Sequence, residues 1–190
     1  VGIGNIGTRL ARICGTGFSC KVLAYDPYLT AQEISQRVAQ AVGFDELLQN
    51  ADIVSVHTPL TTQTRNLFDS DAFTHMKKGA IFVNTARGSI HDEEALADAL
   101  ASGHLGGAGL DVWDSEPPAK EHRLLHLPNV IATPHIAGCT SDSLANMAEY
   151  AATQLLQIFA GEPPSRPVNP EVLPQFKQRF AQIVGGSIQA

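Results

Sequence analysis

The sequence predicts an α/β fold in which helices cover both faces of a parallel sheet. Short apolar segments rich in β-branched residues alternate with segments of helical periodicity, as expected for βαβ units. The 190 residues, 44% of them hydrophobic, are enough to bury a full core. The opening Gly2-Ile3-Gly4-Asn5-Ile6-Gly7 further predicts a tight turn from a strand into a helix.

Six strands are expected, each ending where polar or turn residues begin. They are Lys21–Tyr25, Ala41–Gly43, Ile53–His57, Ala80–Asn84, Gly107–Asp111 and Val130–Ala132. Only Val1 precedes the glycine-rich turn, so the strand that should lead into it is represented by one residue. Because that strand belongs in the middle of a parallel sheet, we expect the natural protein to extend upstream.

Six helices are expected between and after these strands. They are Thr8–Gly15, Ala31–Gln36, Asp45–Gln49, Asp71–Met76, Glu93–Ala101 and Ser141–Ala160. Ser70 and Asp92 are candidate N-caps, and Gly103 stands where glycine commonly ends a helix. In the last helix, apolar residues at helical spacing predict one buried face. These residues are Leu144, Met147, Ala151, Leu155 and Ile158.

The composition changes at residues 161–170, which are rich in proline and glycine. We therefore predict that residues 1–164 form the sheet domain and that residues 165–190 form a separate C-terminal segment. That segment carries an apolar stripe at helical spacing, which predicts packing against protein outside this chain. The stripe consists of Phe176, Phe180, Ile183 and Val184.

Composition excludes several classes of function. The net charge of −6 and the scattered Lys and Arg residues argue against binding to nucleic acid. No apolar run reaches the ~20 residues that a membrane span needs, and the start has no signal-peptide pattern. Cys14, Cys20 and Cys139 have neither disulfide nor metal-ligand spacing. We therefore expect a cytoplasmic protein that does not bind membranes.

Two features have some resemblance to metal sites, and both have simpler explanations. His122 and His126 have the spacing of helical metal ligands, but the segment offers few further ligands and favours a solvated loop. The acidic run Asp92-Glu93-Glu94 is explained by the dipole of the helix that it begins. We expect no metal site.

The glycine-rich turn and a later aspartate together predict a dinucleotide site. Glycines let the backbone approach a pyrophosphate at a helix N-terminus, although this motif alone is a weak signal. Asp26 follows Gly7 by 19 residues, close to the spacing of the acid that binds an adenosine ribose. Alone it could be a turn acid before Pro27, but the pair favours a doubly wound, Rossmann-type domain. Because no Arg follows directly, NAD is expected rather than NADP.

Three polar clusters follow predicted strands and should reach one crevice. They are Asn84–Gly88, Gly109–Pro118 and Thr133–Gly138. With the glycine-rich turn and Tyr25-Asp26-Pro27, these clusters resemble the NAD-binding domain of the D-isomer-specific 2-hydroxyacid dehydrogenases. The resemblance covers Val1 to about Asn169. It implies that the C-terminal segment, residues 165–190, returns to a substrate domain whose larger part lies upstream.

The resemblance implies three catalytic residues, and the chemistry suits each of them. Arg87 matches the arginine of an Arg-Gly pair and offers a planar fork for the substrate carboxylate. His135 matches a histidine in Pro-His-Ile and would exchange a proton with the carbonyl oxygen. Glu116 precedes Pro-Pro and would pair with His135. Singly, each could be an ordinary loop residue; jointly they predict an acid-base pair with a carboxylate clamp.

The same resemblance implies an NAD site built from several loops. Asp111 matches the acid that contacts the nicotinamide carboxamide, Thr85 and Ala86 would line the nicotinamide ribose, and Thr64 would help to bind the diphosphate. The full set of expected cofactor-binding residues is Gly2, Gly4, Asn5, Ile6, Gly7, Asp26, Pro27, His57, Thr58, Pro59, Thr64, Thr85, Ala86, Arg87, Asp111, His135 and Gly138.

Several alternatives stay open at this stage. The expected partner is a small 2-hydroxy or 2-keto acid, and glyoxylate, hydroxypyruvate, 3-phosphoglycerate and lactate-type substrates are all compatible with the residues. The family implies a homodimer. The predicted fold and residues also resemble those of NAD-sensing corepressors, so a cofactor-sensing role is an alternative. A formate-acting relative is disfavoured because that branch has Gln where Glu116 stands.

Overall fold

Parallel strands alternate with helices through the first 137 residues, which confirms the predicted fold class. The structure is a computed structural model that describes residues 1–184. The chain divides into two compact units, Val1–Ala137 and Gly138–Ala190. Residues 185–190 of the C-terminal segment and the Val184 side chain, the last member of the expected apolar stripe, lie outside the described residues.

The elements of the first unit follow the predicted order with small differences in length. The strands are β1 (Leu23–Ala24), β2 (Gln40–Ala41), β3 (Ile53–Val56), β4 (Ile81–Asn84), β5 (Gly107–Leu110) and β6 (Val130–Ala132). The helices are α1 (Asn5–Arg12), α2 (Ala31–Ser35), α3 (Phe44–Asn50), α4 (Ser70–His75) and α5 (Glu93–Ala101). A π-helical turn at Ile13–Gly17 and 3₁₀ turns at Gly88–Ile90 and Arg123–His126 complete the unit.

The strands form two parallel sheets rather than one. Strands β1 and β2 pair with each other, and β3 to β6 pair in chain order. Val1 and Gly2 lie between the two sheets: Gly2 N–H donates to Tyr25 O, and His57 N–H donates to Val1 O. Beyond these residues a groove of 460 Å³ separates β1 from β3. Val1 and Gly2 thus connect the two sheets through backbone hydrogen bonds.

The core of this unit lies between the four-stranded sheet and its helices. Phe68, Phe73 and Phe82 are almost completely buried, and their ring centroids lie 5.0 to 6.2 Å apart. Each fully buried apolar side chain of this size contributes about 1.5–3 kcal/mol to folding. This core fixes the strands whose ends carry the candidate site.

Two helix starts differ from the predictions by more than one residue or in the capping residue. Helix α1 begins at Asn5 rather than Thr8, because Gly4 already serves as its N-cap. Helix α4 is capped by Asp69, whose carboxylate accepts the Ala72 N–H at 2.9 Å, and not by Ser70. A carboxylate in this position also interacts favourably with the helix dipole. Asp92 caps α5 as predicted.

The second unit contains α6 (Ser141–Phe159), a 3₁₀ turn at Pro170–Val172, and α7 (Leu173–Val184). The prediction that α6 has a buried face is wrong for this chain, since Leu144, Met147 and Leu155 are each more than half exposed. Part of the expected apolar stripe packs within the unit: a Cβ on Gly161 would lie 2.8 Å from the Phe180 ring. No helix in residues 1–184 is long and apolar enough to cross a membrane.

Candidate active site

The strand register brings four loops to one edge of the larger sheet. The last residues of β3 to β6 are register partners: Val56, Asn84, Leu110 and Ala132. The residues that begin the four following loops are His57, Thr85, Asp111 and Thr133. Because the carboxyl ends of parallel strands form the crevice that binds ligands in such folds, these loops are the natural place for a site.

The glycine-rich turn is as tight as the motif predicts. A Cβ on Gly7 would lie 2.3 Å from Gly2 O. Gly2 has φ +79°, and a Cβ added to it would lie about 3 Å from atoms of His57 and Thr58. At Gly4 no atom lies within 4 Å of that position. Open space beside the free N–H groups at the start of α1 is what a pyrophosphate needs, so the turn fits NAD.

Two predicted polar residues stabilise the loops around this turn. Asp26 accepts the Ile3 N–H at 3.0 Å and the Tyr28 N–H at 3.1 Å, so its carboxylate lies directly beside the glycine-rich turn. Thr64 donates to Pro59 O at 2.6 Å and accepts the Thr61 N–H at 2.8 Å. Its hydroxyl therefore fixes the loop that follows β3.

A cavity of 500 Å³ opens between the glycine-rich turn and the loops after β3 and β4. Seven of its eight lining residues belong to the predicted cofactor set, and Leu60 is the addition. They are Ile6, His57, Thr58, Pro59, Leu60, Thr85, Ala86 and Arg87. The Thr58 hydroxyl is buried and has no partner among the described residues, which leaves a polar atom available to a ligand here.

The Arg87 loop fits closely against the loop after β5. A Cβ on Gly88 would lie 2.0 Å from the Trp113 carbonyl carbon, so only glycine fits beneath that backbone. Asn84, at the end of β4, donates to Arg87 O and accepts the Ala86 N–H, both at 2.9 Å. The Arg87 side chain itself is exposed at the edge of the cavity.

His135 and Glu116 form a hydrogen-bonded pair. His135 Nδ1 lies 2.8 Å from Glu116 Oε2, and Glu116 Oε1 accepts the Trp113 N–H at 3.1 Å. The bond from His135, followed by the bond from Trp113, lowers the pKa of Glu116, and the Arg87 charge lowers it further. An ionised Glu116 places the His135 proton on Nδ1, which leaves Nε2 free to face a ligand.

Asp111 holds the turn that carries His135. Its carboxylate accepts the Ile136 and Ala137 N–H groups, both at 2.8 Å, and the Thr133 hydroxyl at 2.5 Å. Burial raises the pKa of Asp111, but these three hydrogen bonds more than offset that effect and the pKa is lowered. His135 has φ +56°, a conformation uncommon outside glycine, so the turn depends on such bonds.

The expectation of a solvated loop at His122 is wrong. His122 Nε2 lies 3.0 Å from Glu93 Oε2, with both side chains less than one-fifth exposed, and its ring packs edge-on against Trp113. Glu93 also accepts the Asp114 N–H at 2.9 Å, so it braces the loop that carries Glu116. In residues 1–184 no group of three potential metal ligands is present.

Some predicted residues gain no support from these contacts. Pro27 is exposed and lies outside the cavity, and Gly138 begins the second unit. Conversely, Asn84 and His91 had not been singled out. Asn84 begins the polar cluster Asn84–Gly88, and its position as a polar residue at the end of a strand is a signal in the sequence. The sequence gives no such signal for His91.

A family model for "D-isomer specific 2-hydroxyacid dehydrogenase, NAD binding domain" matches residues 1–137. D-3-phosphoglycerate dehydrogenase of Bacillus subtilis is 39% identical over 184 residues, which is 96% of this chain and 34% of that protein. Glyoxylate/hydroxypyruvate reductase B of Klebsiella pneumoniae is 41% identical over 173 residues, covering 90% of this chain and 53% of the relative. The chain thus spans one-third to about one-half of these relatives.

Solved structures give the same result. The NAD-complexed D-isomer specific 2-hydroxyacid dehydrogenase from Lactobacillus delbrueckii ssp. bulgaricus is similar with a TM-score of 0.80 and 36% identity. The match covers 88% of this chain and 54% of that one. Sequence and structure comparisons therefore agree on the same portion of the same kind of protein.

Proposed function

Because this chain belongs to the D-isomer-specific 2-hydroxyacid dehydrogenase family and contains its NAD-binding domain, we propose that the protein carrying it interconverts a D-2-hydroxy acid and its 2-keto acid. The observation that carries this proposal is the 2.8 Å bond between His135 and Glu116 beside the Arg87 loop. A proton donor and a carboxylate-binding cation are the two protein groups that reduction of a 2-keto acid requires.

The cofactor would lie along the edge of the sheet. The turn at Gly4 would receive the pyrophosphate, Asp26 the adenosine ribose, and the cavity lined by Thr85 and Ala86 the nicotinamide end. Bound NADH supplies the hydride for reduction, and NAD accepts it in the reverse direction. Thr58, whose hydroxyl has no partner among the described residues, is a candidate hydrogen-bonding group for the cofactor.

The proton chemistry would belong to the His135–Glu116 pair. With Nδ1 bonded to Glu116, a protonated His135 donates from Nε2 to the substrate carbonyl oxygen as the alcohol forms. In oxidation the neutral ring accepts that proton. Glu116 stays ionised throughout because its pKa is lowered, and through its bond to Nδ1 it orients the ring.

Arg87 would bind the substrate carboxylate through its two parallel N–H groups and so orient the carbonyl carbon toward the cofactor. The two relatives named above act, by their names, on phosphoglycerate or on glyoxylate and hydroxypyruvate. These compounds share a carboxylate beside the reacting carbon, and that shared group is what Arg87 would recognise.

The test uses the natural protein that carries these residues. NADH oxidation is followed with glyoxylate, hydroxypyruvate, pyruvate and phosphohydroxypyruvate, for wild type and for His135→Ala. We expect turnover of at least one acid and a loss of about 10²–10⁴-fold in kcat for the variant, with NADH affinity unchanged. His126→Ala, at an exposed histidine outside the site, is the control and should retain full activity.

Two other outcomes would change the proposal. NADH binding without turnover of any 2-keto acid would favour a cofactor-sensing role, and a failure to bind NADH would contradict the site from Gly2 onward. The homodimer and the cytoplasmic location remain predictions, and light scattering of the natural protein tests the former.

A further inference from the structure

Behind the Arg87 loop lies a buried histidine that the proposed chemistry does not use. His91 is 2% exposed, and its ring centroid lies 5.5 Å from that of Phe82. Its Nδ1 is 3.0 Å from Nδ2 of Asn84, which is itself fully buried. Buried polar groups of this kind are costly unless they are paired, so this contact matters for both side chains.

The backbone determines which atom of Asn84 faces which partner. The Ala86 N–H can only donate, so the Asn84 atom 2.9 Å from it is the oxygen Oδ1. The amide nitrogen therefore faces both Arg87 O and His91 Nδ1, and it donates one hydrogen to each. His91 Nδ1 must then be an acceptor, which places the ring proton on Nε2.

The surroundings keep this ring neutral. Burial lowers the pKa of His91 to about 4, and the nearby charges of Glu93, Asp92 and Asp114, together with the Gly88 backbone carbonyl, oppose this only in part. Nε2 has no hydrogen-bond partner among the described residues. Asn84 is thus the one side chain of the described structure that lies within hydrogen-bond distance of this ring.

The segment that Asn84 holds is the one from which Arg87 projects. Asn84 fixes the Ala86 N–H and Arg87 O, while the Arg87 guanidinium donates from Nη1 to Ala86 O at 2.5 Å. An exposed, flexible side chain gains orientation chiefly from the backbone that carries it. A change at His91 would therefore reach the guanidinium through the buried bond to Asn84 and the part-buried bonds from Asn84 to the loop.

We propose that His91 is a positioning residue for Arg87: it fixes the Asn84 amide, and that amide holds the backbone beneath the carboxylate clamp. The inference rests on the proposed function in taking Arg87 as that clamp. His91 touches neither substrate nor cofactor. Its contribution is to the affinity for the carboxylate and not to the proton transfer.

The experiment uses the natural protein and measures binding of oxamate, a non-reacting 2-keto acid analogue, to the NADH complex by calorimetry. His91→Leu removes the acceptor while filling much of the space. We expect oxamate affinity to fall about tenfold and the KM of any acid turned over to rise similarly. Values of kcat and NADH affinity should stay within about twofold, because the interaction acts on binding of the acid.

Two matched variants separate positioning from simple loss of stability. His91→Asn offers an oxygen near the former Nδ1 and should restore oxamate affinity to within about threefold of wild type. His104→Leu removes a different histidine, which is partly buried and bonds to Phe73 O. This change should lower stability without changing oxamate binding. In an Arg87→Ala background, His91→Leu should have no further effect on oxamate affinity.

Unchanged oxamate affinity in His91→Leu, or an undiminished effect without Arg87, overturns the inference. If the wild type binds NADH and oxamate but reduces no acid, the proposed function fails while the oxamate affinities still decide the role of His91. If the wild-type NADH complex binds no oxamate, Arg87 is not a carboxylate clamp and both conclusions fall. The ¹⁵N shifts of His91 supply an independent check, since they should show a neutral ring protonated on Nε2 at pH 7.

Discussion

Two loops of the candidate active site, at the carboxyl edge of the larger sheet, are held in place by different chemistry. On one side the Arg87 loop is tied to Asn84, a neutral amide that is completely buried. On the other side the turn at His135 is tied to the Asp111 carboxylate, which accepts three hydrogen bonds. Both ties are made by residues at or just after the end of a central strand.

The difference teaches how each loop tolerates change. A neutral amide paired with a neutral histidine needs no counter-charge, so it can stand in a closed core, but it fails if the histidine gains a proton. A carboxylate is stronger as an acceptor, and its lowered pKa keeps it ionised down to acidic pH. Four substitutions or conditions test this contrast, in order of decreasing effect.

Replacing Gly88 should be the most damaging change to the Arg87 side. The new Cβ of Gly88→Ala would overlap the Trp113 carbonyl, and two backbones would have to move apart. We expect a loss of more than about 3 kcal/mol in the free energy of unfolding, measured with urea. Gly109→Ala is the control, since its Cβ would make an ordinary 3.9 Å contact with Val83. Equal stability of the two variants would show that the loops are not closely packed.

Removing the charge of Asp111 should damage the His135 side. In Asp111→Asn an N–H group replaces one oxygen and faces a backbone N–H, so the free energy of unfolding should fall by about 2–3 kcal/mol. A displaced His135 should also lower kcat at least about tenfold. Asp114→Asn, where a single hydroxyl from Ser89 is accepted, should leave kcat unchanged. A fully active Asp111→Asn protein would contradict the assigned tie.

Acid should weaken the Arg87 side through His91. The pKa is about 4 in the folded chain against 6.5 ordinarily, so between these values the unfolded chain binds the extra proton. Stability therefore falls as pH drops below about 6.5, by on the order of 2 kcal/mol between pH 7 and pH 5. Urea unfolding of His91→Leu should lack this share of the pH dependence, whereas His126→Leu should keep it.

Loss of one bond to Asp111 should have the smallest effect. Thr133→Val keeps the shape of the side chain and removes the hydroxyl that donates to Asp111 at 2.5 Å. The expected loss in the free energy of unfolding is about 1 kcal/mol, because two backbone donors remain. The kcat of the variant should stay within about threefold of the wild-type value. A larger fall would mean that Thr133 itself contacts the substrate.

Much of the fold was predictable because it depends on local patterns. Short segments in which apolar residues alternate with polar ones, or follow one another without a break, predict the strands. Capping residues such as Asp92 predict where helices begin. The errors arise where the local pattern allows more than one outcome. Asp69 and Ser70 are both good N-caps, and only the geometry of the chain selects Asp69. The expected buried face of α6 was inferred from amphipathic spacing, which cannot say whether the covering protein lies in the same chain.

The candidate site was predictable where a motif spans consecutive residues and unpredictable where contacts cross loops. The glycine-rich turn and the Asp26 spacing are readable from one segment, and the structure brings them together as expected. The brace from Glu93 to His122 and Asp114 joins residues 21 or more positions apart, and no local pattern marks it.

By itself the sequence determined the α/β class, the succession of strands and helices along the chain, and the residue types that follow the strands. Periodicity and turn chemistry act over a few residues, so a local pattern is enough to predict them. The tertiary structure alone decided that Gly88 lies beneath Trp113, that Asp111 serves the His135 turn, and that His91 stands behind Asn84. Those roles arise from side chains buried between strands and loops distant in sequence. Burial makes their hydrogen bonds obligatory, and only the folded chain determines which partners are within reach.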